Sequence, residues 1–456
     1  DSLSGNPLSI NNIPSLVSIL ISFFASSFYW VSFFSEEGAE LNASDWVKEQ
    51  AFADVIRDAL THMAIPWTLS EPYYHGVHEF MANPEVSFLP DALLLLFISN
   101  KSYFFLHFAI FHVAGFFGLY LISKRLGVSS LPFMLISALY SMNGYITSHI
   151  SVGHIQWVSY FLLPYYLLFM VDVTRSSGTR WRRALMKMGL LLAVMLMNGS
   201  LHIAVWCLML MVLGSFFEQS LIRSSMLIIL AAGFTGIARL LPAALYFPEK
   251  VDYYGGYPSI GILLDAISSS LNGPGFLVRK AGWHEYDAFV GFVGLSVLIL
   301  GVYLYVRERA SEIPRWLWIA SLLMLLMSLG DVYQVIPRSG LPFASIERVS
   351  SRFVVMPLFV SMIVSGVGIT ALERKCGRPM VAILMLSFIS LAGELYSHSK
   401  VWSLSAVQRA YGIQDIPHII GGSTSDQIYK MVVLSGWLFS LMTITAMIFY
   451  LVKRSH

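Results

Sequence analysis

Apolar runs near the length a helix needs to cross a bilayer, about 20 residues, recur along this chain from 13–34 to 431–452. Lipid offers no partner for backbone N–H and C=O groups, so runs of this length span as helices that satisfy their own backbone. About twelve such spans can be marked. The chain is 56% hydrophobic and 12% charged, against about 25% charged in a soluble domain. The expected fold is all-α: one membrane domain over residues 1–456, a polytopic bundle of about twelve transmembrane helices. A net charge of +2 gives no ground for a nucleic-acid partner. Cys207 sits in an apolar run and Cys376 in a basic loop, so neither a structural disulfide nor a cysteine metal site is expected. The first apolar run lacks a basic leader and a small-residue cleavage site, so no cleaved signal is expected.

Basic residues favour short cytoplasmic loops. With the N-terminus inside, sixteen of the 29 basic residues fall on inner connections, among them Lys124, Arg125, Arg180, Arg183, Lys187, Arg309 and Arg454. Both termini are then cytoplasmic, in what reads as a bacterial inner membrane. The long polar connections 35–101, 248–287 and 331–352 collect on the outer face, joined by 397–430 and by the turn Gly144–His154. Arg239 lies within a span, where an ionisable side chain usually marks function.

The outer loop 35–101 holds eleven of the 27 acidic residues. Within it, Val47–Met63 has helical periodicity, with Val47, Ala51, Phe52, Val55, Ala59 and Met63 on one apolar stripe. Such a helix lies on the bilayer or on the bundle, and Pro66 ends it. Ser44 or Asp45 can cap its start. Asp45 can equally sit over a cavity mouth and accept a proton from a hydroxyl. Asp54, Asp58 and His62 share a face, where pairs such as Asp54–Arg57 and Asp58–His62 are expected rather than a metal site. The apolar run Phe88–Ser99 is too short to cross and reads as interfacial or re-entrant.

Further polar clusters stand at the outer ends of spans. His149 and His154 share the third turn with Gly144 and Gly153, where glycine permits close backbone approach and histidine can carry a proton or donate to phosphate. Trp283, His284, Glu285 and Tyr286 precede another span; the aromatics suit an interface, the charged pair does not follow from that. Arg348 and Arg352, four apart, can clamp a phosphate or snorkel to headgroups. No Walker loop, dinucleotide fingerprint, HExxH or GxSxG occurs.

Several stretches in order resemble the YfhO-like branch of the GT-C membrane glycosyltransferases. They are Pro66–Trp67 with Tyr73–Gly76 and Ala82–Pro84; Leu126–Ser129 with Asn143–Gly144 and Gly153–His154; Trp283–Tyr286 with Gly291; and Ile346–Phe353. Three departures are visible. His75-Gly76-Val77 stands where the family has paired glycines, and Ser350 where proline is common. Asp45 with Gln50 only approximates the family's Asp-Gln spacing. The resemblance implies a polyprenyl-phosphate sugar donor, chemistry at the outer face, and an envelope glycan or lipid acceptor. It makes Asp45 the catalytic base, with Glu71, Glu79 and Glu85 in reserve. It assigns His75, Asn83, Glu85, His149, His154, Trp283, His284, Glu285, Arg348 and Arg352 to substrate binding. No cofactor is implied and no metal ligand is assigned, although a divalent ion would suit phosphate chemistry. Two other classes stand beside this one: a non-catalytic subunit of a larger membrane complex, and a transporter or flippase of a lipid-linked substrate.

The topology predicts that a cysteine at Ser425 reacts with a membrane-impermeant thiol reagent from outside and one at Ser176 does not. Labelling of intact cells in the reverse pattern would overturn the assignment.

Overall fold

The computed structural model describes residues 14–74, 76–247, 253–308, 313–338 and 347–453. His75, residues 248–252 of the second long polar segment, Arg309, residues 339–346 including Ile346, and Arg454 lie outside them. The chain forms helices α1 (Leu16–Phe34), α2 (Trp46–Thr61), α3 (Asn100–Leu126), α4 (Ser130–Met142), α5 (Gly144–Ser151), α6 (Leu163–Arg175), α7 (Gly178–Met197), α8 (Leu201–Ser215) and α9 (Ser220–Thr235). It continues through α10 (Ile237–Tyr246), α11 (Ile260–Ser268), α12 (Gly291–Arg307), α13 (Arg315–Met327), α14 (Val335–Arg338), α15 (Val355–Cys376), α16 (Arg378–Val401), α17 (Leu404–Tyr411) and α18 (Gln427–Lys453). Strand structure among the described residues is limited to two-residue pairings: Thr68–Leu69 with Gly421–Gly422, and Leu277–Val278 with Ala281–Gly282.

The apolar runs fall in helices, but not as twelve full-length spans: the run 130–149 breaks at Asn143 into α4 and α5. Six helical segments are long and apolar enough to cross a membrane, or seven if α9 and α10 count as one span bent by 77°. Shorter apolar helices α8, α12 and α13 pack among them. The bend falls at Gly236, and Pro242 follows inside α10, where a ring without an N–H removes a helical hydrogen bond. Arg239, just past the bend, is buried. Its guanidinium donates to the carbonyls of Asn83 (2.6 Å) and Val86 (2.8 Å) and lies over the Phe88 ring. That arginine thereby fastens the polar segment 35–99 to the bundle.

The amphipathic helix forms as α2, one residue earlier at its start and two shorter at its end than its periodicity suggests. Its stripe docks on protein: Ala51, Phe52 and Val55 pack with Leu69, Phe80, Val86 and Ile419, whereas Met63 is left exposed. Asp54 bonds Arg57 and Asn100, and Asp58 pairs with His62 at the surface. The short run after Phe88 becomes a 3-10 helix over Pro90–Leu96. Its Asp91 meets buried His107 of α3 at 2.5 Å.

Two further devices set the site. Asn143 ends α4 and caps α5, accepting from the Ile146 N–H while its amide donates to the Tyr160 hydroxyl. The chain therefore turns at Asn143 and delivers His149 and His154 to one end of the bundle. Deeper in, α12 and α15 lie backbone to backbone, because a Cβ on Gly368 would sit 2.0 Å from the Gly301 carbonyl oxygen. Small residues permit this approach in membranes, where lipid tails give helices no hydrophobic reason to associate.

Gly368→Ala is predicted to force α12 and α15 apart and to cost about 1–3 kcal/mol, the range for overpacking a tight contact. Thermal unfolding of the purified protein in detergent should show a melting temperature lowered by several degrees; an unchanged one would contradict this packing.

Candidate functional site

The site begins with a backbone docking. The Asp45 N–H donates to the Val152 carbonyl at 2.9 Å, and the Trp46 indole donates to the Ser151 carbonyl at 3.0 Å. Gly153, at φ +100°, makes the approach feasible: a Cβ there would meet the Trp46 nitrogen at 2.2 Å. Asp45 stands at the N-cap of α2, yet its carboxylate makes no cap hydrogen bond. It turns instead to the docked turn. Its Oδ2 lies 3.0 Å from His154 Nε2, 3.7 Å from Lys48 Nζ and 3.4 Å from the Tyr74 hydroxyl.

Lys48 is 2% exposed and shared by three carboxylates: Glu85 at 2.8 Å, Glu49 at 3.1 Å and Asp45. Its ammonium also lies over the Tyr74 ring. Burial alone would discharge it; Glu85, Tyr74, Glu49 and Asp45 hold its pKa well above the ordinary lysine value. One cation cannot neutralise three buried acids equally. Burial alone would raise the Asp45 carboxyl, but Lys48 and His154 outweigh it and hold the group well below the usual carboxylate range. Glu85 behaves likewise, burial being outweighed by Lys48, and falls to about 2. In Glu49 burial wins, and its carboxyl is pushed up to about 7.

His154 continues the network. Burial pushes its pKa down against the pull of Asp45, so the ring is neutral near pH 7. With Nε2–H donated to Asp45, its Nδ1 accepts from His149 Nδ1 at 2.8 Å. This tautomer assignment follows from the hydrogen-bond network. It leaves His149 Nε2 as a bare lone pair, buried and without a partner among the described residues. His149 stacks on Trp157 with ring centres 4.3 Å apart.

Beyond the histidines lies a second buried ionic cluster. Arg352 grips Glu285 with two bonds of 2.5 Å and reaches Glu347 at 3.3 Å. Glu347 accepts from the Trp206 indole and lies 3.1 Å from His202 Nδ1. Burial would raise both carboxyls. Arg352 and His284 hold Glu285 far down, and His202 and Arg352 lower Glu347. His284 sits between the clusters, 5.3 Å from His154 ring to ring and 3.6 Å from Glu285.

The structure thus gathers Asp45, Glu85, His149, His154, His284, Glu285 and Arg352. Arg348 lies at the rim, over the Tyr254 ring and close enough to Tyr74 to bear on its hydroxyl. It has no carboxylate partner among the described residues. Trp283 is packed against Phe276 and Tyr286, apart from the histidines. Asn83 accepts from the Glu85 N–H through its side chain and from Arg239 through its carbonyl. His75 lies outside the described residues. Sequence reasoning missed Lys48, Glu49, Tyr74, Trp157, His202 and Glu347. Lys48 and Glu49 left a local signal, three and four residues after Asp45 on the same helix face, and Tyr74 and Glu347 lie within the stretches that carry the resemblance.

Ligand-type atoms of His154, His284 and Glu285 lie within 4.8 Å of one another, a spacing a divalent ion accepts. Both Glu285 oxygens are held by Arg352, and both His154 nitrogens by Asp45 and His149. Only His284 Nδ1 is left without a partner. As arranged, this is a hydrogen-bonded cluster rather than an open metal cage.

These features define an integral membrane helix bundle carrying a buried acid–histidine–arginine network at one end. No protein-family model matches the sequence, and no curated protein sequence matches it. Among solved structures, the arabinofuranosyltransferase AftD from mycobacteria is similar over 87% of this chain, with a TM-score of 0.56 and 11% identity. The chain spans 28% of that protein's length. The likeness is one of fold, and it gives this chain a GT-C-like polytopic membrane fold.

The carboxyls carry a pH signature. Glu49 binds a proton more tightly folded than unfolded, so stability falls as pH rises from 4.5 to about 7. Asp45 and Glu85 have the opposite sign, and their contribution is lost only as pH falls below about 4. Glu49→Gln is therefore predicted to be more stable than the native protein at about pH 8 and nearly equal to it at about pH 4. A residual slope of the same sign belongs to Asp287, also pushed up to about 7 by burial. Chemical denaturation at the two pH values checks the crossover, and a parallel offset at both would contradict it.

Proposed function

We propose that this chain is a glycosyltransferase of the YfhO-like branch of the GT-C superfamily. It would transfer a sugar from a polyprenyl-phosphate donor to a lipid or glycan hydroxyl at the outer membrane face. The observation that carries this reading is Asp45: an ionised carboxylate at the start of a polar loop, docked on the bundle and turned away from its own helix cap. The GT-C-like fold supports the same class.

In the proposed reaction the lipid phosphate leaves as the acceptor oxygen attacks the anomeric carbon. Asp45 Oδ2 is occupied by His154, Lys48 and Tyr74, so Oδ1 is the oxygen offered to the acceptor. A carboxylate held this far down is a weak base toward a neutral alcohol. It suffices here because the hydroxyl becomes strongly acidic only as its bond to the cationic sugar carbon forms, and the proton then moves late. The same negative charge stabilises the developing oxocarbenium ion. Lys48 and His154 fix the carboxylate's position and charge.

Arg348 is the guanidinium we assign to the donor phosphate, because it alone of the two arginines is not already neutralised by carboxylates. Arg352, gripped by Glu285 and Glu347, holds Glu285 and His284 in place. The segments 35–101 and 248–287 are outer-face loops in this reading, and the acceptor enters between them.

Asp45→Asn is predicted to lower transfer by ~10²–10⁴-fold while donor binding persists. Arg348→Ala should raise the donor KM more than it lowers kcat, and Arg348→Lys should recover part of the loss. The assay is the purified protein in nanodiscs with a panel of polyprenyl-phosphate sugars. Wild-type turnover by the Asp45 variant, or no turnover with any donor by the native protein, would overturn the reading.

A further inference from the structure

The opposite end of the bundle carries cations that the network above does not use. The C-terminal end of α3, the last turns of α6 and the first turns of α7 meet there. Arg125, Arg180, Arg183 and Lys187 line a cup of about 370 Å³ with Asp172 as its lone acid. Arg125 meets that acid at 3.5 Å. Among the described residues Arg180, Arg183 and Lys187 have no carboxylate partner, and Arg183 Nε is buried with no hydrogen-bond acceptor. A cationic donor hidden from water without an acceptor is costly unless an anion completes it.

The cup is not isolated. Lys187 also lines an adjoining apolar groove of about 360 Å³, formed with Tyr165, Phe169, Leu190, Leu191 and Val194. Its ammonium sits 5.7 Å over the Phe169 ring of the groove, so this one side chain borders both. Leu162 at the head of α6 and Asn198 past the end of α7 belong to the end that holds His154. The groove therefore runs from the cup toward the middle of the bundle, along its lipid-facing surface.

We propose that this cup and groove form a binding site for an anionic phospholipid. The headgroup phosphate is held by Arg180, Arg183 and Lys187, and an acyl chain lies on Phe169, Leu190 and Val194. A soluble anion would need the cup alone. The continuous apolar floor, the arginine forks matched to phosphate oxygens and the net positive charge together select a lipid. By the positive-inside distribution of its basic residues this leaflet is the cytoplasmic one. The site is separate from the proposed transferase chemistry and stands or falls without it.

The test uses the full-length protein purified in a neutral detergent, read by thermal unfolding and by native mass spectrometry. Phosphatidylglycerol is expected to raise the melting temperature saturably and to bind about tenfold tighter than phosphatidylcholine. Inorganic phosphate is expected to have no effect, and the lipid gain should weaken with salt. Arg180→Gln with Arg183→Gln should abolish the preference. Leu190→Trp, which fills the groove and leaves the cations in place, should abolish it too, and this keeps the test open if the double variant fails to fold. Equal binding of both lipids, a retained preference in both variants, or the same shift from inorganic phosphate alone would each overturn the proposal.

Discussion

The polar end of this molecule depends on one contact, the seating of Asp45 and Trp46 on the turn at Gly153. Without a side chain at Gly153 the start of α2 comes within backbone hydrogen-bonding distance of residues 151 and 152. That seating carries Lys48 into the interior, where it is 2% exposed. A buried ammonium must be paired, and the acids that pair it come from its own helix and from Glu85. Replacing paired ions by apolar residues often costs nothing in stability. A network of this kind is therefore better explained by what it holds in place than by the energy it supplies. It fixes one carboxylate, Asp45, in the charged state beside a neutral histidine.

The second cluster repeats the logic with an arginine in place of the lysine. Arg352 lies between Glu285 and Glu347, and the Trp157 ring lies below its guanidinium. His284 and His154 join the two clusters edge to face. The line runs from the Lys48–Asp45 pair through the histidines to the Glu285–Arg352 pair. Lys48 and Arg352 are the two groups whose removal would leave more than one buried carboxylate without its cation. Double-mutant coupling across His154 and His284 is the measurement that would apportion the line.

Much of the fold was legible because a bilayer reduces the options. Runs near 20 residues in length have few solutions in lipid, and the runs are helical here, although only six or seven helical segments among the described residues are long and apolar enough to cross. The amphipathic pattern located α2 to within two residues. Two features resisted. The break between α9 and α10 sits inside one apolar run, and Gly236 and Pro242 signal a bend without giving its angle. Lys48 and Glu49 fall on the side of α2 that periodicity assigns to water, yet a distant turn covers them. The partners of Glu347 are about as hard to read. His202 and Trp206 lie 145 and 141 residues away and mark themselves only as polar or aromatic members of an apolar helix. Asp45 illustrates the general limit. Its type and place fit a helix cap and a reacting carboxylate equally well; the fold shows only that the side chain makes no cap bond and turns to His154.

The two ends of the bundle differ in one physical respect. At the end holding Asp45, the buried cations are partnered from within the chain, Lys48 and Arg352 by carboxylates and Arg239 by carbonyls, while Arg348 at the rim has no carboxylate partner among the described residues. At the other end three cations surround one acid already approached by Arg125. Charges completed from within make a preorganised site, whose dipoles need not reorganise when a substrate arrives. Charges left open ask for a partner from outside, and in a membrane the abundant anion is a headgroup phosphate. The helices that bear both ends are the same ones. α6 and α7 run from the neighbourhood of His154 and Asn198 to Arg175 and Arg180. A lipid that clamps the Arg175 and Arg180 ends would therefore hold, through two packed helices, the floor on which the buried network stands.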